Sequence, residues 1–247
     1  MDELAKHLNT LNFDEVHAKA EAGDTQSQYY LGMMYGKGIG TDVSTAKAFP
    51  WLLKAAQGGI AFAMNNIGYL YQHGLGCEKN TEMAFSWYSR AADTGLPPAY
   101  LNLFYCYFNG VGVEKNQDIA IKYLEKAANA DNFPEAKLDL GDYYWGYEKN
   151  AEKWLYWYNK AINEDHSGKA LFAMACHYLQ GEGVRKDIGK AQALLEKSAD
   201  AGYGEAAMIL AQQYEQRSNY EKARHYYTIA AHAGNQNALA ILIDQYQ

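Results

Sequence analysis

Ala63–Gly76 reads A-M-N-N-I-G-Y-L-Y-Q-H-G-L-G, and the same frame returns thirty-six residues on, at Ala99–Gly112, as A-Y-L-N-L-F-Y-C-Y-F-N-G-V-G. It occurs again at Ser27–Gly40 (S-Q-Y-Y-L-G-M-M-Y-G-K-G-I-G) and at Ala170–Gly183 (A-L-F-A-M-A-C-H-Y-L-Q-G-E-G). Weaker copies start at Ala136 and Ala206. Self-similarity at a fixed period of this size marks a solenoid, in which each unit buries its apolar face against the next. Units shaped to stack do not readily close a pocket, which lowers the expectation of catalysis.

The second unit shows how the period divides. Ala63–Gln72 reads as helix A, with Ile67, Gly68 and Tyr71 three or four residues apart on one face. His73–Asn80 is a loop, and Thr81–Thr94 is helix B, lined by Ala84, Trp87, Tyr88, Ala91 and Ala92. Gly74 and Gly76 end helix A with positive φ, which a β-carbon resists. Asn80-Thr81 then caps helix B. The small residues Gly68, Ala84 and Ala91 are expected to let the two helices approach.

The same division applied throughout predicts one all-α solenoid domain over residues 1–247. Its repeats fall at about 24–59, 60–95, 96–132, 133–166, 167–202 and 203–234. Residues 1–23 and 235–247 form terminal caps: Asn12–Ala22 matches a helix B and Asn237–Tyr246 a helix A of absent neighbours. Three places break the rule. In the fourth repeat Gly146-Tyr147-Glu148-Lys149-Asn150 replaces the G-x-G turn, and Trp154 stands where other repeats have Ala84 or Ala120. The sixth has only Gln216–Asn219 as its turn, and Pro50 lies within the first helix B, where it removes a donor and should kink the helix.

Composition narrows the class of partner. The 247 residues hold 22 Lys and Arg against 29 Asp and Glu, for a net charge of −7, with no basic run for a phosphate backbone or an anionic membrane. Nucleic acid is therefore not expected as a partner. Met1–Ala20 lacks the basic start and apolar run of a signal peptide, and no stretch approaches the length of a membrane span. Cys77, Cys106 and Cys176 are read as free thiols, which points to a reducing cytoplasm. Tyrosine is abundant, at 22 copies, more than the stack needs for filling.

The pattern A-x-x-x-L-G-x-x-Y-x-x-G-x-G with a trailing W-Y-x-R-A-A resembles the Sel1-like repeat family, relatives of the tetratricopeptide repeats. The match is strong at Gly36–Ala56, His73–Ala92, Gly110–Ala128 and Gly181–Ala199, and weaker at Leu140–Ile162 and Tyr214–Ala231. The resemblance implies a right-handed α/α superhelix used as an adaptor for other proteins, often in bacterial signalling, envelope assembly or host interaction. The paired cysteines of some secreted relatives are missing here.

In stacks of this type the A helices line the concave side, so register picks out the side chains left for a partner. These are Tyr29, Asn65, Tyr69, Gln72, Leu101, Tyr105, Phe108, Asp142, Trp145 and Phe172. Exposed aromatics in a groove are typical binding hot spots. The chemistry-bearing residues form no such set. His73, His177 and His225 occupy different repeat positions, and no H-E-x-x-H, C-x-x-C or G-x-S-x-G occurs. Adjacent Cys176 and His177 diverge on a helix, and the G-x-G loops lack the strand and Lys-Ser/Thr of a nucleotide site. No catalytic residue, metal or cofactor is expected.

The expected function is a non-enzymatic scaffold that binds a peptide or protein on an aromatic concave surface. Two alternatives come with the resemblance: a toxin-neutralising (immunity) binder, and a cell-wall hydrolase or penicillin-binding activity. A monomer is expected, with a homodimer through the apolar C-terminal helix as the other possibility.

Overall fold

The computed structural model describes residues 3–245, and every regular element among them is an α-helix. In chain order these are α1 (Glu3–Leu8), α2 (Phe13–Glu21), α3 (Thr25–Lys37), α4 (Thr45–Gln57), α5 (Ala61–His73), α6 (Thr81–Asp93), α7 (Pro97–Asn109), α8 (Gln117–Ala128), α9 (Pro134–Gly146), α10 (Ala151–Asn163), α11 (Gly168–Gln180), α12 (Ile188–Asp200), α13 (Gly204–Gln216), α14 (Tyr220–His232) and α15 (Gln236–Gln245). From α3 to α14 they alternate as the A and B helices of six repeats. The fold is an all-α solenoid of paired helices with capping helices.

Two compact units divide the chain: Met1–Ala127, with the first three repeats, and Ala128–Gln247, with the last three. Within each, successive helices pack on one another, from α2 to α7 in the first and from α9 to α15 in the second. The expected N-terminal cap is α2, started by Asn12, whose Oδ1 accepts from the Glu15 backbone N–H at 3.1 Å. The sequence reading did not separate α1 from it. The expected C-terminal cap is α15, while Tyr246 lies outside the described residues.

Helix starts follow from short polar side chains. Ser44, Asn80, Asn116, Asn150, Asp187 and Asn219 precede the six B helices, and each accepts from the backbone N–H three residues on, at 2.9–3.3 Å. Each such cap contributes about 1 kcal/mol. Helix stops follow from glycine where it is present. Gly38, Gly74, Gly110 and Gly181 end their A helices at φ between 70° and 79°. In the fourth and sixth repeats Lys149 and Ser218 take the left-handed conformation instead, at φ 55° and 57°, which costs on the order of 1 kcal/mol each. Within the first B helix, α4 runs continuously through the exposed Pro50.

The close approach read at Gly68 involves a ring. A Cβ there would fall 2.6 Å from Tyr88 Cδ1, so the B-helix tyrosine sits directly on the A-helix backbone. That contact belongs to an apolar cluster running from Tyr29 through Ile67 and Trp87 to Leu103 and Cys106. In the second unit Trp154 is fully buried with Leu138, Tyr158 and Met174. Room for the indole is left by Gly141 and Gly183, where a Cβ would lie 3.5 and 3.0 Å from it. In the second and third repeats the second loop glycine lies against main chain, Gly76 on Thr45 and Gly112 on Thr81, and in the first Gly40 lies against the Phe13 side chain. The loop of the fifth repeat rests on the Trp145 and Trp154 rings instead.

Candidate partner-binding face

Side-chain amides hold the A helices of the first unit side by side. Asn102 Nδ2 donates to Asn65 Oδ1 at 2.8 Å, and Asn66 Nδ2 donates to Met33 Sδ at 3.2 Å. Asn65 is therefore a strut between α5 and α7 as well as a surface residue. Beside these struts stand the two open aromatics of the predicted set, Tyr69 at 49% and Tyr105 at 41% exposure. The Tyr69 ring lies over His73 with centroids 4.1 Å apart. Tyr105 packs on Phe104 at 4.9 Å, and Phe104 on Phe108 at 5.3 Å. Leu101, Gln72 and Phe108 are half-buried.

Tyr29 departs from the expectation. Its exposure is 6%, and it belongs to the core cluster of the first unit. It shares the register of Asn65, Leu101 and Phe172, which are half-buried, but its ring packs into that cluster. Tyr29 fills the stack and leaves almost nothing for a partner.

In the second unit, Asp142 Oδ1 accepts from the Tyr158 hydroxyl at 2.5 Å. Asp142 is exposed as a residue, but desolvation of its carboxyl beside Tyr158 pushes it above its ordinary range, while the Tyr158 hydrogen bond and the charges of His177 and Lys169 pull the other way. Burial and the facing carboxylate push the Tyr158 phenol up. Trp145 is half-buried, 5.4 Å from Trp154 and 6.1 Å from His177 between ring centroids. Phe172 is half-buried on Tyr203 at 5.2 Å. Trp145 and Phe172 are thus partly covered, unlike Tyr69 and Tyr105.

A regularity in the B helices went unread in the sequence. The position facing the A helix holds Leu52, Tyr88, Leu124, Tyr158, Leu195 and Tyr227 in turn. Each of these tyrosines donates to its own A helix: Tyr88 to Gln72 at 3.0 Å, Tyr158 to Asp142, and Tyr227 to Glu215 at 2.8 Å. Tyrosine recurring at every second repeat was the available signal.

The reactive side chains are occupied with packing. His177 Nδ1 lies 3.1 Å from the Glu182 carbonyl, and its ring lies 4.3 Å from Trp154. Burial raises the Cys176 thiol and pushes Cys106 up to about 11, which keeps both protonated and poorly nucleophilic at neutral pH. Ser89 donates to the Phe85 carbonyl and Ser198 to that of Gly168. Among the described residues no group of three or more His, Cys, Asp or Glu could hold a metal ion, and no helix is long and apolar enough to cross a membrane.

The Sel1 repeat model matches six times, at residues 25–60, 61–96, 97–132, 134–166, 168–203 and 204–235. The chain belongs to the Sel1 repeat family. This Sel1 repeat protein is similar to a Sel1 repeat protein from Oxalobacter formigenes, at 29% identity and TM-score 0.64 over 84% of this chain and 85% of that one. It is equally similar, at 29% identity and TM-score 0.64, to a protective antigen of uropathogenic Escherichia coli, covering 94% of this chain but only 51% of the antigen. It therefore spans about half of that protein's length. An immunity protein from Pseudomonas aeruginosa shares the fold at 21% identity and TM-score 0.63, over 85% of this chain and 81% of that one.

Proposed function

We propose that this Sel1 repeat protein is a non-enzymatic binder of another protein, with the A-helix face as its docking surface. The observation that carries the reading is the pair of open rings, Tyr69 and Tyr105, beside the Asn65–Asn102 strut. Rigid aromatic area held by a fixed scaffold loses little entropy on binding. Affinity capture tests it: a Tyr69→Ala, Tyr105→Ala double variant should fold and lose the partner that the parent retains. Capture at undiminished yield would move the docking surface elsewhere. Trp145→Ala asks the same of the second unit.

Among partner classes we infer a toxic protein that this chain neutralises. The fold shared with an immunity protein and the net charge of −7 support that reading, since an acidic binder steers a basic target into contact. Co-expression with toxic products of neighbouring genes should show rescue of growth by the parent and none by the double variant. We place this function in the cytoplasm, with nucleic acid excluded as the target, and assign the chain as a monomer. The alternative is a dimer through α15, where Leu239 is 44% and Ile243 52% exposed. Light scattering separates the two, a monomer giving 27.7 kDa at every concentration. Acylation by a labelled β-lactam would instead favour the penicillin-binding alternative, for which Ser89 and Ser198 provide no activated hydroxyl.

A further inference from the structure

Tyr158 finds its acceptor one helical turn earlier than the tyrosines of the other repeats do. Tyr88 and Tyr227 bond Gln72 and Glu215, whereas in the fourth repeat that position holds Trp145 and the acceptor is Asp142. Asp142 has the register of Met33, Tyr69, Tyr105, Cys176 and Gln212, so a carboxylate stands where the other repeats present uncharged side chains. The residue is exposed, yet its Oδ1 is held at 2.5 Å by the hydroxyl of a tyrosine that is itself 3% exposed. Among the described residues its Oδ2 accepts no hydrogen bond and the carboxylate forms no ion pair. The exposed Lys169 and the half-buried His177, both on α11, act on it only as charges at a distance. Asp139 stands one turn back on α9 and adds a further negative charge beside Tyr158. An asparagine would accept from Tyr158 equally well and would avoid desolvating a charge. The hydrogen bond therefore does not account for the carboxylate.

We propose that Asp142 anchors an arginine of the protein partner, with Trp145 beside it. The proposal rests on the protein-binding reading above and gives the partner a chemical signature at the second unit. Charge sets the first limit, because an unpaired carboxylate on a chain of net charge −7 is complemented by a cation. Preorganisation sets the second. Tyr158 fixes the carboxylate before the partner arrives, so little side-chain freedom is lost on binding. The third limit is shape. Oδ2 is open and Oδ1 keeps a second lone pair, so the two oxygens match the planar fork of a guanidinium. Trp145 follows Asp142 by three residues on the same helix, and its half-buried ring leaves part of the indole uncovered. A guanidinium stacks on such a ring more readily than the strongly hydrated ammonium of lysine.

The test uses the isotope-labelled full chain and the peptide acetyl-Ala-Arg-Ala-amide at millimolar concentration and low ionic strength, followed by NMR. The backbone amide of Asp142 and the indole N–H of Trp145 should shift together and saturate. Citrulline keeps the shape of arginine without its charge and should weaken binding at least about tenfold. Lysine should weaken it several-fold. Asp142→Asn retains the bond to Tyr158 and should lose binding as far as citrulline does, while the rest of the spectrum stays that of the folded protein. Lys169→Ala removes the competing cation and should tighten binding about twofold. Absence of shifts, equal affinity for the arginine peptide and its citrulline or lysine form, undiminished binding by Asp142→Asn, or weaker binding by Lys169→Ala would each overturn the proposal. If Asp142→Asn still captures a whole-protein partner that the Tyr69→Ala, Tyr105→Ala variant loses, the anchor assignment fails and the scaffold reading stands. If the peptide binds as described but no protein is ever captured, the anchor stands and the scaffold reading fails.

Discussion

The Lys137 ammonium lies 2.6 Å from the Asp165 carboxylate, with the two side chains 1% and 2% exposed. Lys137 also donates to the Ala130 carbonyl at 3.3 Å, and Glu164 lies 3.7 Å away. A buried pair of this kind ties the start of α9 to the loop that leads from α10 to α11. Such a pair contributes little relative to an apolar replacement, yet its loss is costly when a single charge is left behind. Lys137→Met should therefore destabilise the second unit by about 3–5 kcal/mol. The double variant Lys137→Met, Asp165→Leu should recover much of that loss. Urea denaturation of the three proteins decides the matter, and a double variant no better than the single one would mean that the hydrogen bond to Ala130 dominates.

Glycines at two A-helix positions should respond in opposite directions. Gly68→Ala places a methyl 2.6 Å from the Tyr88 ring and should cost about 1–3 kcal/mol through overpacking. Gly36→Ala meets open space and should stabilise α3 by about 0.5–1 kcal/mol, the ordinary helix preference of alanine over glycine. Thermal melts of the two variants, compared with the parent, read both signs.

The carboxyl of Asp142, on an exposed residue, is held above its ordinary range by desolvation beside Tyr158. The folded protein thus keeps this proton to higher pH than the unfolded chain does. Its contribution is most favourable below the unfolded carboxylate value and declines as pH rises through the folded one. Asp142→Asn removes that penalty and retains an oxygen for the Tyr158 hydroxyl. It should raise the melting temperature at neutral pH, with the advantage disappearing on acidification. An advantage of the same size at every pH would show that the charge is not responsible.

Packing distinguishes the aromatic residues of the proposed face. Tyr69→Ala and Tyr105→Ala remove open rings and should each change stability by no more than about 0.5–1 kcal/mol. Trp145→Ala empties space against Trp154, His177 and Gly183 and should cost about 2 kcal/mol or more. Chemical denaturation of the three variants measures this ordering, which also determines which of them are clean binding probes.

Thiol reactivity should rank with burial. Cys77 and Cys176 are half-buried, while Cys106 is buried with its thiol pushed up to about 11. Iodoacetamide followed by mass spectrometry should find Cys106 modified last in the native protein and all three alike in urea.

The sequence by itself determined the repeat, the pairing of helices and most of their ends. These depend on local rules: apolar spacing of three and four, an Asn, Ser or Asp before each B helix, and glycines able to take positive φ. Asn80 and Gly74 act as their residue types require, whatever lies further along the chain. The face was legible only in part, because register tells which side a residue is on but not how far its neighbours cover it. Tyr69 stands open and Tyr29 is buried, although both were assigned to the same face. Contacts across helices decided the rest. The Lys137–Asp165 pair joins residues 28 apart, and the hydroxyls of Tyr88, Tyr158 and Tyr227 find their acceptors across their hairpins. Burial and such contacts are properties of several helices at once, so only their tertiary arrangement could set them.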